Sequence, residues 1–144
     1  MPVGLSHMIN RAELILESAA SLKKRIRNAK EIPVRLVRDA EGVAFAVDAG
    51  VPTPFDMAWM ELDSGNGGTF VIAKHLAGLF HLDPDSKEPQ PVKFEIAGGI
   101  PVEGKARTPD MIMDGNIAAQ FFKRWVLTLD LASGRAWLAP NPIV

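Results

Sequence analysis

The chain has 144 residues, a charged fraction of 23% and a formal net charge of -1, so its charge predicts neither a nucleic-acid partner nor attraction to a membrane surface. It contains no cysteine, which excludes disulfides, zinc thiolate sites and cysteine nucleophiles. Hydrophobic residues make up 47%, ordinary for one globular domain with its own core, and no apolar stretch is long enough for a membrane-spanning helix.

Residues 9–30 are predicted to form a helix, because Ile9, Ala12, Leu16, Ala19, Leu22 and Ile26 recur at three- and four-residue steps. Asn10 and Glu13 have capping-box spacing, with Ser6 as a competing start. Lys23, Lys24, Arg25, Arg27 and Lys30 suit the negative end of the helix dipole. An anionic partner would use the same cluster, but solvated charge is the simpler reading. Arg11, Glu13 and Glu17 interrupt any signal-peptide core, which suits a cytoplasmic protein or a trimmed form of an exported one. Pro33 ends the helical region. Residues 1–31 are therefore expected to be a helical extension, and residues 32–144 a single β-rich domain.

The pattern then turns to β. Ile32–Arg38 and Val43–Val47 flank Asp39-Ala40-Glu41-Gly42 and predict a hairpin. Gly50-Val51-Pro52-Thr53-Pro54 reads as a loop, since two prolines cannot serve a central ladder. Residues 57–62 form a strand that delivers Asp63. Phe70–Ile72 is a short strand before a helix through Ala73–Phe80, and Asp83–Pro89 is an exposed loop. Val92–Ile96 and Pro101–Arg107 are strands around Ala97-Gly98-Gly99-Ile100. Met111–Met113 is a strand ended by Asp114-Gly115, and Ile117–Arg124 a short helix. Trp125–Leu131 and Arg135–Leu138 close the chain as a hairpin through Ala132-Ser133-Gly134.

Asp63-Ser64-Gly65 ends the apolar run Met57–Leu62 and opens the turn Asn66-Gly67-Gly68. A carboxylate at the end of a buried strand, followed by a hydroxyl and a glycine, is what an aspartic peptidase needs. Hydrolysis by water requires one carboxylate to take a proton and one carboxylic acid to polarise the scissile carbonyl. Two aspartates held close share that single proton and titrate as a pair. Glycine lets the backbone turn sharply and brings its amide to the carboxylate, while the serine hydroxyl can brace two such loops. The same three residues also make plain turns.

The order of segments resembles the retropepsin-like aspartic peptidases, especially the bacterial aspartyl-protease families. In these a strand ends in Asp-Thr/Ser-Gly, and a later apolar strand leads to a segment like Asp-Gly-Ile-Leu-Gly, then a helix and a closing hairpin. The counterpart here is Met111-Ile112-Met113-Asp114-Gly115-Asn116-Ile117-Ala118-Ala119-Gln120-Phe121-Phe122, continuing through Trp125–Asp130 and Ser133–Leu138. The resemblance spans about residues 32–140 and implies one lobe of the acid protease fold, mainly β and closed like a barrel. It implies catalytic Asp63 in a loop supported by Ser64 and Gly65, a peptide substrate, and neither cofactor nor metal. The second aspartate would come from a homodimer partner or a missing second lobe. Gly98, Gly99 and Ile100 fall where retroviral proteases carry a flap, and an ordinary hairpin turn explains them equally. Asp114 belongs by resemblance to a structural turn.

Three positions depart from the family pattern: Asn116 replaces an aliphatic residue, Ala118 a glycine, and Asn66 leads a turn that starts with alanine in the retroviral enzymes. His7, His75 and His81 have no metal-ligand spacing. Ser64 has no histidine at motif spacing. Met111, Met113, Phe121, Phe122, Trp125 and Trp137 read as core. Two functions are therefore expected to compete. One is an aspartic endopeptidase half-site. The other is a catalytically silent retropepsin-like domain for dimerisation or peptide binding, which the three departures favour.

Overall fold

A computed structural model describes residues 4–8, 13–38 and 45–142. The strands are β1 (Gly4–Met8), β2 (Glu13–Glu17), β3 (Lys30–Ile32), β4 (Val34–Arg38), β5 (Phe45–Pro52), β6 (Met57–Leu62), β7 (Phe70–Ile72), β8 (Gln90–Ile96), β9 (Ile100–Arg107), β10 (Gly115–Ile117), β11 (Trp125–Asp130) and β12 (Arg135–Pro140). One helix, α1 (Ala19–Arg25), and short 3₁₀ segments at Ile26–Asn28, Lys74–Phe80 and Ala119–Lys123 connect them. The strands build a five-stranded sheet, β2-β1-β11-β12-β3, and a seven-stranded sheet, β4-β5-β6-β10-β7-β9-β8. The protein is mainly β.

The helix expected over 9–30 is much shorter. Residues 9–12 lie outside the described residues, and Glu13–Glu17 is a strand paired with β1, which in turn pairs with β11. Leu14 and Leu16 alternate as a strand requires, although Leu16 also fits a helical step. Ser18 is the true start of α1, because its Oγ accepts the Ser21 N–H at 3.1 Å and so satisfies a free donor of the first turn. Arg25, at the other end, pairs with buried Glu17. The N-terminal segment is thus built into the sheet that the chain's last hairpin forms. The boundary expected at residue 31 falls inside β3.

Pro33 breaks what was expected to be one strand over 32–38. β3 and β4 on either side of it belong to different sheets. The turn expected at 39–42 lies outside the described residues. β5 continues through Pro52, where a loop was expected, because that end needs only the β6 ladder, Pro52 pairing with Met57. β4 has already ended at Val34 opposite Ala49, so no strand on that side asks for the missing proline N–H. The expected strand at 111–113 is displaced to β10, and Ile112 is 99% exposed.

The larger sheet curls until Ala97, just past β8, donates its N–H to the Gly50 carbonyl of β5 at 2.8 Å. No ladder joins the edge strands β4 and β8 among the described residues, so the expected closed barrel is observed as two open sheets. The core includes Met60, Phe70, Ile72, Ile96, Val102, Ile117, Phe122 and Leu138, each at most 1% exposed. Burial of each such side chain contributes about 2 kcal/mol. Met60, Ile72 and Ile117 anchor β6, β7 and β10, and these three strands position the candidate site.

Candidate active site

β6 alternates as a strand should. Ala58 and Met60 are buried in the core, while Trp59 and Glu61 are less buried on the other face. β10 runs parallel to β6, with Gly115, Asn116 and Ile117 opposite Met60, Glu61 and Leu62. It also pairs antiparallel with β7. The second sequence motif is therefore inserted between the two strands that flank the Asp63 loop. Gly115 permits this close approach, because a Cβ there would lie 2.6 Å from the Val71 carbonyl oxygen. Backbone bonds tie the segments together: Asp63 N–H donates to Ile117 O at 3.0 Å and Ala119 N–H to Asn66 O at 2.8 Å.

The Asp63 carboxylate lies at the end of this ladder, half-buried. Its Oδ1 accepts the Gly65 N–H at 2.9 Å, and its Oδ2 accepts from Asn116 Nδ2 at 2.9 Å. Asn116 Oδ1 accepts from Asn66 Nδ2 at 2.9 Å. Asn66 Nδ2 also reaches Thr69 O at 3.2 Å, and Asn66 Oδ1 accepts the Gly68 N–H at 2.9 Å. Two of the three departures, Asn116 and Asn66, are thus the polar scaffold around Asp63. The third, Ala118, is fully buried with φ -74° and ψ 170°, an extended backbone open to any residue. No glycine is required there.

The surroundings are acidic. Glu61 is two residues before Asp63 on the same strand and faces Asp48 across the β5 ladder. Burial, then the charges of Asp63 and Asp48, holds the Glu61 carboxyl above its ordinary value. Asp48 has a counter-ion, since Arg35 Nε lies 3.1 Å from its Oδ2. The same guanidinium sits 5.0 Å above the Trp59 ring.

Asp114 occupies the opposite end of the β6–β10 ladder. Its Oδ2 accepts the Trp59 N–H at 2.9 Å, and its Oδ1 lies 4.0 Å from exposed His75 Nε2. The strand rise separates the Trp59 level from Asp63 by roughly 13 Å. The two aspartates therefore do not form a pair, and among the described residues no second aspartate is hydrogen-bonded to Asp63.

Ser64 is exposed at the rim of an apolar cleft of about 350 Å³ that Leu62, Phe122, Leu127 and Leu129 also line. A larger recess of about 470 Å³, lined by Lys93, Glu103, Gln120 and Trp125 among others, does not include Asp63. Gly98 and Gly99 take φ of 103° and 80°, the left-handed conformations that a glycine turn provides. Their hairpin tip is bonded to Gly50 through Ala97, and Gly50 lies opposite Trp59. The structure therefore places Gly98, Gly99 and Ile100 toward the far end of β6 and does not bring them to Asp63. Sequence reasoning missed Glu61 and the direct contacts of Asn116 and Asn66. The alternation of β6 could have placed Glu61 on the Asp63 side, but no spacing rule joins residues 50 positions apart.

No protein-family model matches the chain, and no curated protein matches it. Among solved structures, the fold is similar to the crystal structure of basic 7S globulin from soybean, with a TM-score of 0.57 over 96% of this chain and 50% of that one. Identity is 9%, so the likeness is one of fold alone. The chain spans half the length of that structure.

Proposed function

We propose that the chain is one half of a retropepsin-like aspartic endopeptidase, a lobe of the acid protease fold. The observation that carries this reading is the Asp63 carboxylate at the end of β6, with an N–H donor on each oxygen, in a loop tied to the strand inserted between β6 and β7. A second carboxylate, supplied by another copy or another lobe, completes the site. The pair holds a water between its two carboxyl groups. One group takes a proton from that water as it attacks the peptide carbonyl, and the other gives its proton to the carbonyl oxygen, the roles alternating as the amine leaves. Ser64 braces the two loops, and the Gly65 amide orients the carboxylate. The peptide lies extended, with an apolar side chain in the cleft beside Ser64.

The reading is tested with a peptide library assayed from acid to neutral pH, comparing wild type with Asp63→Asn. Loss of cleavage in the variant is expected; cleavage that persists undiminished would sink the assignment. A second reading, a catalytically silent domain for dimerisation or peptide binding, is favoured by β2. This edge strand of its sheet exposes Leu14 at 63% and Leu16 at 71%, which invites strand addition. Concentration-dependent association without any cleavage supports that alternative.

A further inference from the structure

We infer that Asn116 is the positioning residue of Asp63, oriented by Asn66, and that it makes Asp63 a fixed acceptor on both oxygens. The inference rests on the peptidase reading. Its starting point is two backbone groups remote from the carboxylate. The Gly68 N–H can only donate and the Thr69 carbonyl can only accept. They fix the Asn66 amide, with Oδ1 toward Gly68 at 2.9 Å and Nδ2 toward Thr69 at 3.2 Å. The second hydrogen on Nδ2 then points to Asn116 and requires an acceptor there, which is Oδ1 at 2.9 Å. Asn116 is left with only its Nδ2 to offer Asp63 Oδ2, at 2.9 Å. The polarity of the whole chain of bonds is thus set by the backbone of the glycine turn.

The consequence is chemical. Asp63 Oδ1 already accepts from Gly65, so the second donor leaves neither oxygen free to rotate away. Hydrogen bonds to a charged acceptor are the stronger kind. The carboxylate plane is held at a fixed angle to the site where a partner carboxyl and a water would sit. Reacting groups held in this way gain rate without gaining substrate affinity.

Asn116→Ala removes the donor, whereas Asn116→Asp keeps the shape and the bond from Asn66 but turns an acceptor toward Asp63. At neutral pH, kcat is expected to fall roughly tenfold for Asn116→Ala and roughly a hundredfold for Asn116→Asp, with KM within about twofold of wild type. The reverse order, with alanine the more damaging, would show that Asn116 only fills space and would overturn the inference. A second readout needs no turnover. The side-chain amide resonance of Asn116, assigned by its loss in Asn116→Asp, is expected to move in Asp63→Ala and to stay in place in Asp56→Ala. An Asn116 resonance indifferent to Asp63 overturns the inference whatever the chain cleaves. A resonance that moves in a chain that cleaves nothing upholds the contact and overturns the peptidase reading.

Discussion

Asp63 follows the last paired residue of β6, and Asp114 precedes the first paired residue of β10. The two carboxylates bracket the same short parallel ladder, yet they are held by different partners. Asp114 accepts the Trp59 N–H, a ladder donor on the side where β10 has not yet begun. It stands in for a strand carbonyl, and the bond is part of the sheet. Asp63 accepts from a loop amide and a side-chain amide, and its own backbone N–H supplies the ladder bond to Ile117. Its carboxylate is therefore free of duty to the sheet. What separates a structural aspartate from a candidate catalytic one here is whether the sheet needs the side chain.

The contrast is sharpest in the first test. Asp63→Asn should cost roughly a thousandfold in cleavage, the scale of losing a general base. Asp114→Asn should retain most of the cleavage. A result in which Asp114→Asn silences the chain and Asp63→Asn does not would exchange their roles. Gly115→Ala probes the ladder that both aspartates bracket. The added methyl meets the Val71 carbonyl at 2.6 Å and Met60 Sδ at 3.2 Å, so a loss of about 3 kcal/mol in urea unfolding is expected. A loss near zero would mean that β10 can shift without cost. Asp114→Ala strands the Trp59 N–H and should cost about 2 kcal/mol. An unchanged unfolding midpoint would remove Asp114 from the sheet.

Strands of both sheets were legible in the sequence, for a local reason. β6, β8, β9 and the hairpin of β11 and β12 are bounded by glycine, asparagine and proline turns and carry alternating apolar residues. The helix expected over 9–30 failed because Leu16 fits two periods at once, the helical step from Ala12 and the strand alternation with Leu14. Only pairing with β1 decides between them, and that contact is non-local. Asp63 and Asp114 received their roles from motif order, and the site geometry agrees with the structural turn expected for Asp114. Asn116 and Asn66 read as departures because a motif compares each position with a family, not with its neighbours in space. Once β10 lies against β6, the same residues are each other's partners.

The smallest expected effect concerns Glu61, and its sign separates crowding from pairing. Burial first, then Asp63 and Asp48, raises the Glu61 carboxyl above its ordinary value of 4.5. Above that value the unfolded chain has released a proton that the folded chain still holds. The folded state binds more protons in that window, so stability falls as pH rises through it, and the cost is complete once Glu61 ionises in the fold. Glu61→Gln removes that cost. Its thermal midpoint should exceed wild type slightly at pH 7 and equal it at pH 3, small because solvent still reaches and screens this half-buried group. Glu31 is the control of opposite sign. The hydrogen bonds from Arg135 at 2.8 and 2.7 Å hold its carboxyl below the ordinary value. Its contribution is present above the unfolded value and disappears as pH falls through the folded one, so Glu31→Gln should lower the midpoint at pH 7 and not at strongly acid pH. If Glu61→Gln also lowers the midpoint at pH 7, Glu61 has a favourable partner at the Asp63 end of β6. The negative charge gathered there would then be neutralised rather than uncompensated.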